Sequence, residues 1–200
     1  MKETFWQKID HIIGPATVKD FEAVGQQETR NKIEEYVLSV SDEKTKLLDA
    51  GCNTGVEGYR LFQKGFKGSY HGMDSNKLAL DYAVKNLNGK NASFHHFDLS
   101  SIDFPDRKFD IVLNKDVIEH AEHYNDIIKE LCRLTGSYFI LSMFIKMHDK
   151  DDFIKLERNG YHHNRYNRQK LYAFVESCGF IPAKILYEKN EDEILLFERL

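Results

Sequence analysis

The run best suited to chemistry in this 200-residue chain is Leu47-Leu48-Asp49-Ala50-Gly51-Cys52-Asn53-Thr54-Gly55-Val56-Glu57-Gly58. An apolar strand leads into a glycine turn, and a helix follows. Glycines at such a turn permit positive φ and let a ligand approach the backbone closely. In an open α/β sheet the turn lies at the carboxyl ends of the strands, where ligands bind. A dinucleotide fingerprint, G-x-G-x-x-G, would need glycine where Asn53 and Val56 stand, and no G-x-x-x-x-G-K-[ST] is present. The pattern is D-x-G-x-N-x-G. Its leading acid, Asp49, suits a cationic ligand better than a pyrophosphate, which it would repel.

Two further acids follow the same logic. Asp74 closes the next strand, 19 residues after Gly55, near the spacing at which an acid meets ribose hydroxyls in nucleotide-binding sheets. Asp98 follows the third strand, placed to accept a bond from the exocyclic amine of a base. Each acid alone is more often a turn residue or helix cap than a ligand contact. Three of them at successive strand ends, beside one glycine turn, point to a ligand.

A second group lies further on. Glu119, His120 and His123 form E-H-x-x-H, which is not the zinc-protease H-E-x-x-H, since the histidines are three apart. No metal site is expected there; packing or contact with an acceptor is the role read for His120. His162 and His163, with Tyr161 and Tyr166, sit in the 23-residue stretch Lys146–Arg168. It is charged, aromatic and too long for an idle connector. It reads as a cover over an acceptor; the alternative is a partly ordered loop.

The elements that must position these groups alternate from about residue 44 onward. Thr45–Ala50, Ser69–Met73, Ala92–Phe97, Phe109–Leu113 and Ser137–Phe144 read as strands, the last two continuously apolar, as strands buried on both faces are. One helix opens near Ser75 or Asn76 and carries Ala79, Ala83 and Leu87. Another carries Ile127, Ile128, Leu131 and Leu134. A third carries Leu171, Phe174, Val175 and Cys178, with Asn167 as N-cap and Gly179 as stop. Such alternation implies a parallel sheet with helices on both faces. Phe180–Tyr187 and Glu193–Arg199 are joined by a polar turn too short for a helix, so they are expected to pair antiparallel. Residues 1–43 read as an N-terminal helical cap, with Ile33, Val37 and Val40 on one face, ahead of the 44–200 domain. Its apolar residues Phe5, Trp6, Ile9, Ile12 and Ile13 fit packing on the domain, closure of a pocket or a dimer contact, so a monomer and a homodimer both stay open.

Composition narrows the partners. The formal net charge is −4, which argues against a nucleic-acid grip built on overall charge. The longest apolar-rich run, Tyr138–Ile145, falls far short of the roughly 20 residues a membrane span needs. The N-terminus lacks the apolar block of a secretory signal. Cys52, Cys132 and Cys178 are odd in number and unpaired in spacing, which fits a reduced, cytoplasmic setting.

The ordered set of motifs resembles the class I S-adenosylmethionine (SAM)-dependent methyltransferases over roughly residues 44–200. The likeness rests on Asp49-Ala-Gly51-Cys-Asn53-Thr-Gly55, Asp74 after His-Gly-Met, Phe97-Asp98-Leu99 and Phe109-Asp110-Ile-Val-Leu113. Val117-Ile118-Glu119-His120 and His163-Asn-Arg-Tyr166, running into Cys178-Gly179-Phe180, are similar too. The resemblance implies a Rossmann-like, seven-stranded, mostly parallel α/β sheet with an antiparallel last strand. It implies that Asp49, Gly51, Asn53 and Gly55 cradle the methionine end of SAM and that Asp74 binds the ribose, with Ser75 beside the adenine. Asp98 would meet the adenine amine, with Leu99 adjacent. Asn114 and Lys115 would line the methionine amino group and the methyl donor. Many relatives carry glycine at position 53; asparagine also tolerates left-handed backbone.

The function expected is methyl transfer from SAM to oxygen or nitrogen of a small-molecule acceptor, with His120 and His163 as the catalytic candidates. Asn114-Lys115-Asp116-Val117 replaces the D/N/S-P-P-Y/F motif of enzymes that methylate base amines. The alternatives are a SAM-binding scaffold without catalysis and a nicotinamide-dependent dehydrogenase; the missing third glycine counts against the latter.

Overall fold

The computed structural model describes residues 15–21, 27–97, 102–121, 123–157 and 162–200. Asp98, Leu99, Tyr161 and the apolar residues Phe5, Trp6, Ile9, Ile12 and Ile13 lie outside the described residues.

The chain divides into two compact units, residues 1–102 and 103–200. In the first, helix α1 (Gln27–Val40) precedes β1 (Lys46–Ala50), α2 (Val56–Gln63), β2 (Ser69–Asp74), α3 (Lys77–Asn86) and β3 (Ala92–His96). In the second, β4 (Phe109–Lys115) runs into a 3-10 turn (Ile118–His120), then α4 (Asn125–Leu134), β5 (Thr135–Met143), α5 (Arg168–Ser177), β6 (Lys184–Lys189) and β7 (Asp192–Glu198). The seven strands form one mostly parallel sheet in the order β3-β2-β1-β4-β5-β7-β6.

In the first unit Leu47, Leu48 and Ala50 are fully buried, as the apolar run requires. β1 and β2 run parallel, with Asp49 opposite Gly72 and Ala50 opposite Met73. The glycine turn after β1 therefore emerges beside Asp74, the last residue of β2. Asn76 caps α3, its side chain accepting from Ala79 N at 3.1 Å, a bond worth about 1 kcal/mol. Close packing behind the turn needs glycine: a Cβ at Gly58 would lie 2.6 Å from the Tyr70 ring, and one at Gly55 2.7 Å from Leu87 Cδ1. α1 buries Ile33 and Val37, and its buried Glu34 takes Arg60 of α2 and Lys64 just beyond it.

In the second unit β5 lies parallel to β4. β7 runs antiparallel to both β5 and β6, the terminal hairpin the short polar turn predicts. Strand β6 starts at Lys184 rather than Phe180, because Pro182 has no N–H to give a ladder. Phe180 instead makes an isolated bridge to Arg199. Asn167 caps α5 by accepting from Lys170 N at 2.8 Å, and Gly179, at φ 92°, ends it. The expected alternation breaks once: the described residues between β3 and β4 form no helix. Pro105 in that short connection removes a donor a helix interior would need.

Candidate active site

The glycine turn has spent its donors. Gly51 N and Cys52 N donate to Met73 O at 2.7 and 3.0 Å, and Gly55 N to Cys52 O at 2.9 Å. Asn53 N donates to Asp74 Oδ2 at 2.8 Å, and Thr54 N to Asn53 Oδ1 at 2.9 Å. Gly51, Asn53 and Gly55 all take positive φ (90°, 48° and 82°), which weaves these bonds into a closed knot. A phosphate cradle needs N–H groups facing outward; this turn directs its own inward.

Asp74 anchors that knot. Its second oxygen accepts from Asn76 N at 2.8 Å. Burial pushes its carboxyl above the ordinary aspartate value, opposed by the N–H groups of Asn76, Asn53 and Ser75. With these N–H groups bound, a carboxylate, which has about four acceptor sites, still has acceptor capacity to spare. The neighbouring Ser75 carbonyl accepts from His96 Nε2 at 2.9 Å. Asp49 is buried, 2% exposed, and accepts a short hydrogen bond from the Tyr70 hydroxyl. Burial, then the charge of Asp49, pushes the Tyr70 phenol well up.

The second unit gathers another set. Asn114 is fully buried at the end of β4, and Lys115, mostly buried, pairs with Asp116. Asp116 sits at φ 57°, an uncommon conformation for a residue with a side chain, and donates its N–H to Ser142 O at 2.8 Å. Glu119 in the 3-10 turn is 0% exposed. Its Oε1 accepts from Phe144 N at 2.8 Å, and its Oε2 has no hydrogen-bond partner among the described residues. Burial, then the charge of Asp116, pushes this carboxyl up to about 8.

His120 Nδ1 lies 2.8 Å from the carbonyl oxygen of His162. A carbonyl only accepts, so Nδ1 carries the proton and the neutral ring keeps its lone pair on Nε2. Burial lowers the pKa of His120; the bond to the His162 carbonyl opposes this, and the His163 ring adds to the lowering, so the ring is neutral at pH 7. The His163 ring lies 5.4 Å from His120 and 6.1 Å from Phe144, centre to centre. The two histidines singled out from the sequence are thus neighbours.

The described parts of the stretch Lys146–Arg168, residues 146–157 and 162–168, form a strap: they are stapled to each other and to the 3-10 turn. Bridges join Phe153 to Arg165 and Leu156 to His162. Asn164 N donates to Glu119 O at 2.9 Å, and the Tyr166 hydroxyl to Ile118 O at 2.7 Å. Three participants escaped the sequence reading: Tyr70 as the partner of Asp49, Phe144 as the donor to Glu119, and Asn164 as the staple. Tyr70 and Phe144 looked like ordinary strand residues; the polar Asn164 in an aromatic segment was the one available signal. His123 is exposed, and among the described residues no group of three or more His, Cys, Asp or Glu could hold a metal ion.

A mostly parallel seven-stranded sheet with helices between its strands and a closed glycine turn after β1 defines a Rossmann-like α/β domain. Residues 41–192 match the methyltransferase domain family, and the chain belongs to it. It is 26% identical over 100 residues to the fatty-acid O-methyltransferase of Mycolicibacterium smegmatis, a match covering 49% of this chain and 36% of that enzyme. The chain therefore spans well under half of that curated relative. Among solved structures, a Pyrococcus horikoshii OT3 protein superposes with a TM-score of 0.71 at 16% identity, over 94% of this chain and 97% of that one. The magnesium protoporphyrin IX methyltransferase of Synechocystis PCC 6803, solved with bound SAM, gives 0.66 at 20% identity, over 98% and 90%. At these identities the likeness is one of fold. No helix among the described residues is long and apolar enough to cross a membrane.

Proposed function

We propose that this methyltransferase domain takes its methyl group from SAM and passes it to an oxygen or nitrogen of a small-molecule acceptor. The observation that carries the donor half is the bond from Asn53 N to Asp74. It fixes a carboxylate with spare lone pairs at the rim of a turn whose N–H groups are already used. That chemistry fits a diol-bearing, positively charged nucleoside and disfavours a pyrophosphate. Asp74 and Ser75 hold the nucleoside in this reading, with Asp98 and Leu99 toward its base. Asp49, Gly51, Asn53, Gly55, Asn114 and Lys115 serve the amino-acid end. The pairing of Lys115 with Asp116 keeps a bare ammonium away from a cationic ligand.

SAM supplies a methyl already activated by its sulfonium, so alignment supplies most of the acceleration, roughly 7–11 kcal/mol. His120 takes the acceptor's proton at Nε2, a role worth about 10²–10⁴-fold. His163 and Phe144, beside it, form the wall against which the acceptor lies. The names of two relatives, a fatty-acid O-methyltransferase and a magnesium protoporphyrin IX methyltransferase, support a small-molecule acceptor. The three free cysteines fit a reducing compartment, and we assign the chain to the cytoplasm on that ground.

Calorimetry with S-adenosylhomocysteine (SAH), alongside tritiated-methyl transfer from SAM to a pool of small metabolites, tests the reading. Uptake of SAH and label transfer, both lost in Asp74→Ala, are expected. No SAH uptake by the wild type overturns the donor assignment; uptake without transfer to any acceptor points to the scaffold alternative.

A further inference from the structure

The segment ahead of α1 is tied to the glycine turn by side chains that the reading above does not use. Asn86, the last residue of α3, donates its side-chain amide to two carbonyls: Thr54 O at 3.0 Å and Ala16 O at 3.2 Å. Thr54, 0% exposed, donates its hydroxyl to Pro15 O at 2.8 Å. An asparagine amide has two N–H bonds, and here each finds one strand of the crossing. Neither bond belongs to a helix or a sheet ladder.

The segment so held is itself folded. Thr17 donates its backbone N–H and its hydroxyl to Asp20 Oδ2 at 3.1 and 2.6 Å. Phe21, 1% exposed, sets its ring edge-on to Tyr59 of α2 at 5.3 Å. Pro15–Phe21 therefore rests on the turn at one end and on α2 at the other. From Thr54 the connection runs to Asn53 Oδ1 and from Asn53 N to Asp74. An unbroken line of hydrogen bonds thus joins Pro15 to the carboxylate assigned to the donor's ribose.

We propose that Asn86 and Thr54 are positioning residues that latch Pro15–Phe21 onto the glycine turn, so that filling the turn with donor and ordering this segment favour each other. The inference rests on the donor reading given above. Coupling of this kind is reciprocal: whatever factor the latch adds to donor affinity, the donor adds to latch closure. The turn's N–H groups are held by Met73, Cys52, Asn53 and Asp74, and Asn86 supplies the matching hold on the carbonyl side.

The test uses the full chain with Asn86→Ala, Thr54→Val and Thr54→Ser, each checked for an intact fold by circular dichroism. SAH affinity is read by calorimetry, and hydrogen exchange is followed in the Pro15–Phe21 peptide with and without SAH. Asn86→Ala and Thr54→Val are expected to weaken SAH roughly 5- to 150-fold, with the KM for SAM rising while kcat at saturation is kept. Thr54→Ser, which retains the hydroxyl, restores affinity. SAH slows exchange at Asp20 and Phe21 in the wild type and leaves it unchanged in Asn86→Ala. Wild-type binding with undiminished affinity in both latch variants, or exchange in this peptide indifferent to SAH, overturns the latch alone. Failure of the wild type to bind SAH removes the donor reading and the latch together. Should Asn86→Ala not fold, the Thr54→Val and Thr54→Ser pair decides.

Discussion

His120 gives its Nδ1 proton to the carbonyl of His162 across 2.8 Å, and this single bond sets the ring's chemistry. Nε2 is left as the basic nitrogen, and burial holds the pKa below 6.5, the ordinary histidine value. Lowered pKa means that acid, not base, removes the active form. Methyl transfer to a protonated acceptor oxygen or nitrogen is expected to fall as pH drops through this depressed value. It stays flat above 6.5 as far as this group is concerned. His120→Gln is expected to cost about 10²–10⁴-fold in kcat with SAH affinity unchanged. A pH–rate profile of wild type and variant checks it: an unchanged acid limb in His120→Gln excludes the ring as the base.

Glu119 carries the opposite sign. Its folded-state carboxyl is held up at about 8 against an ordinary 4.5, so between those values the folded chain binds a proton that the unfolded chain has lost. Stability then declines as pH rises across that window, by up to roughly 1.4 kcal/mol per pH unit. Glu119→Gln keeps an oxygen for Phe144 N and removes the titration. Its melting temperature is expected to vary less between pH 5 and about 8 than that of the wild type, and to exceed it at the alkaline end. Parallel melting curves against pH for the two proteins would count against a buried neutral carboxyl.

These two residues also mark where the sequence stops being readable. Strands, caps and the closing hairpin follow from local rules: Asn76 and Asn167 both accept the N–H three residues on, as polar caps do. The start of β6 is offset because Pro182 outweighs the apolar pattern around it. Asp49 and Asp74 stand out in the sequence because they end apolar runs next to glycines. The bonds that define their chemistry do not. Tyr70 reaches Asp49 across 21 positions, and Asn53 reaches Asp74 across 21, and no local spacing encodes a contact made by sheet pairing. Glu119 and His120 stand adjacent in the sequence, yet burial raises the pKa of the first and lowers that of the second. Burial around the 3-10 turn, with the charge of Asp116 near Glu119 and that of His163 near His120, produces that split.

Gly58 gives a test of the Tyr70–Asp49 bond from outside the site. A Cβ there would meet Tyr70 Cζ at 2.6 Å and Leu87 Cδ2 at 2.8 Å. The phenol ring cannot stay under Asp49 with a methyl group pressed on the carbon that bears its hydroxyl. Gly58→Ala is expected to destabilise the fold by about 1–3 kcal/mol through overpacking and to weaken SAH as the Tyr70 hydroxyl is displaced from Asp49. Tyr70→Phe separates the effects, since it removes the hydroxyl without crowding. Urea titration and calorimetry on both variants check this, and wild-type SAH affinity in Tyr70→Phe would show that Asp49 does not depend on the bond.

His163 lies against His120 yet differs from it in kind. Its side chain is 45% exposed, with Nδ1 3.7 Å from Glu157 Oε1, while its backbone N–H is fixed to Lys155 O at 2.8 Å. The strap therefore holds the residue in place whatever its side chain, and Asn164 and Tyr166 keep the strap on the 3-10 turn. His163→Ala should leave the fold and SAH affinity close to wild type and lower methyl transfer far more. The bond from His120 to His162 uses a backbone carbonyl, so the acid limb of the pH profile should survive the change. A loss of SAH binding equal to the loss of transfer would mean that His163 acts on the donor rather than on the acceptor. Undiminished transfer would remove it from the site.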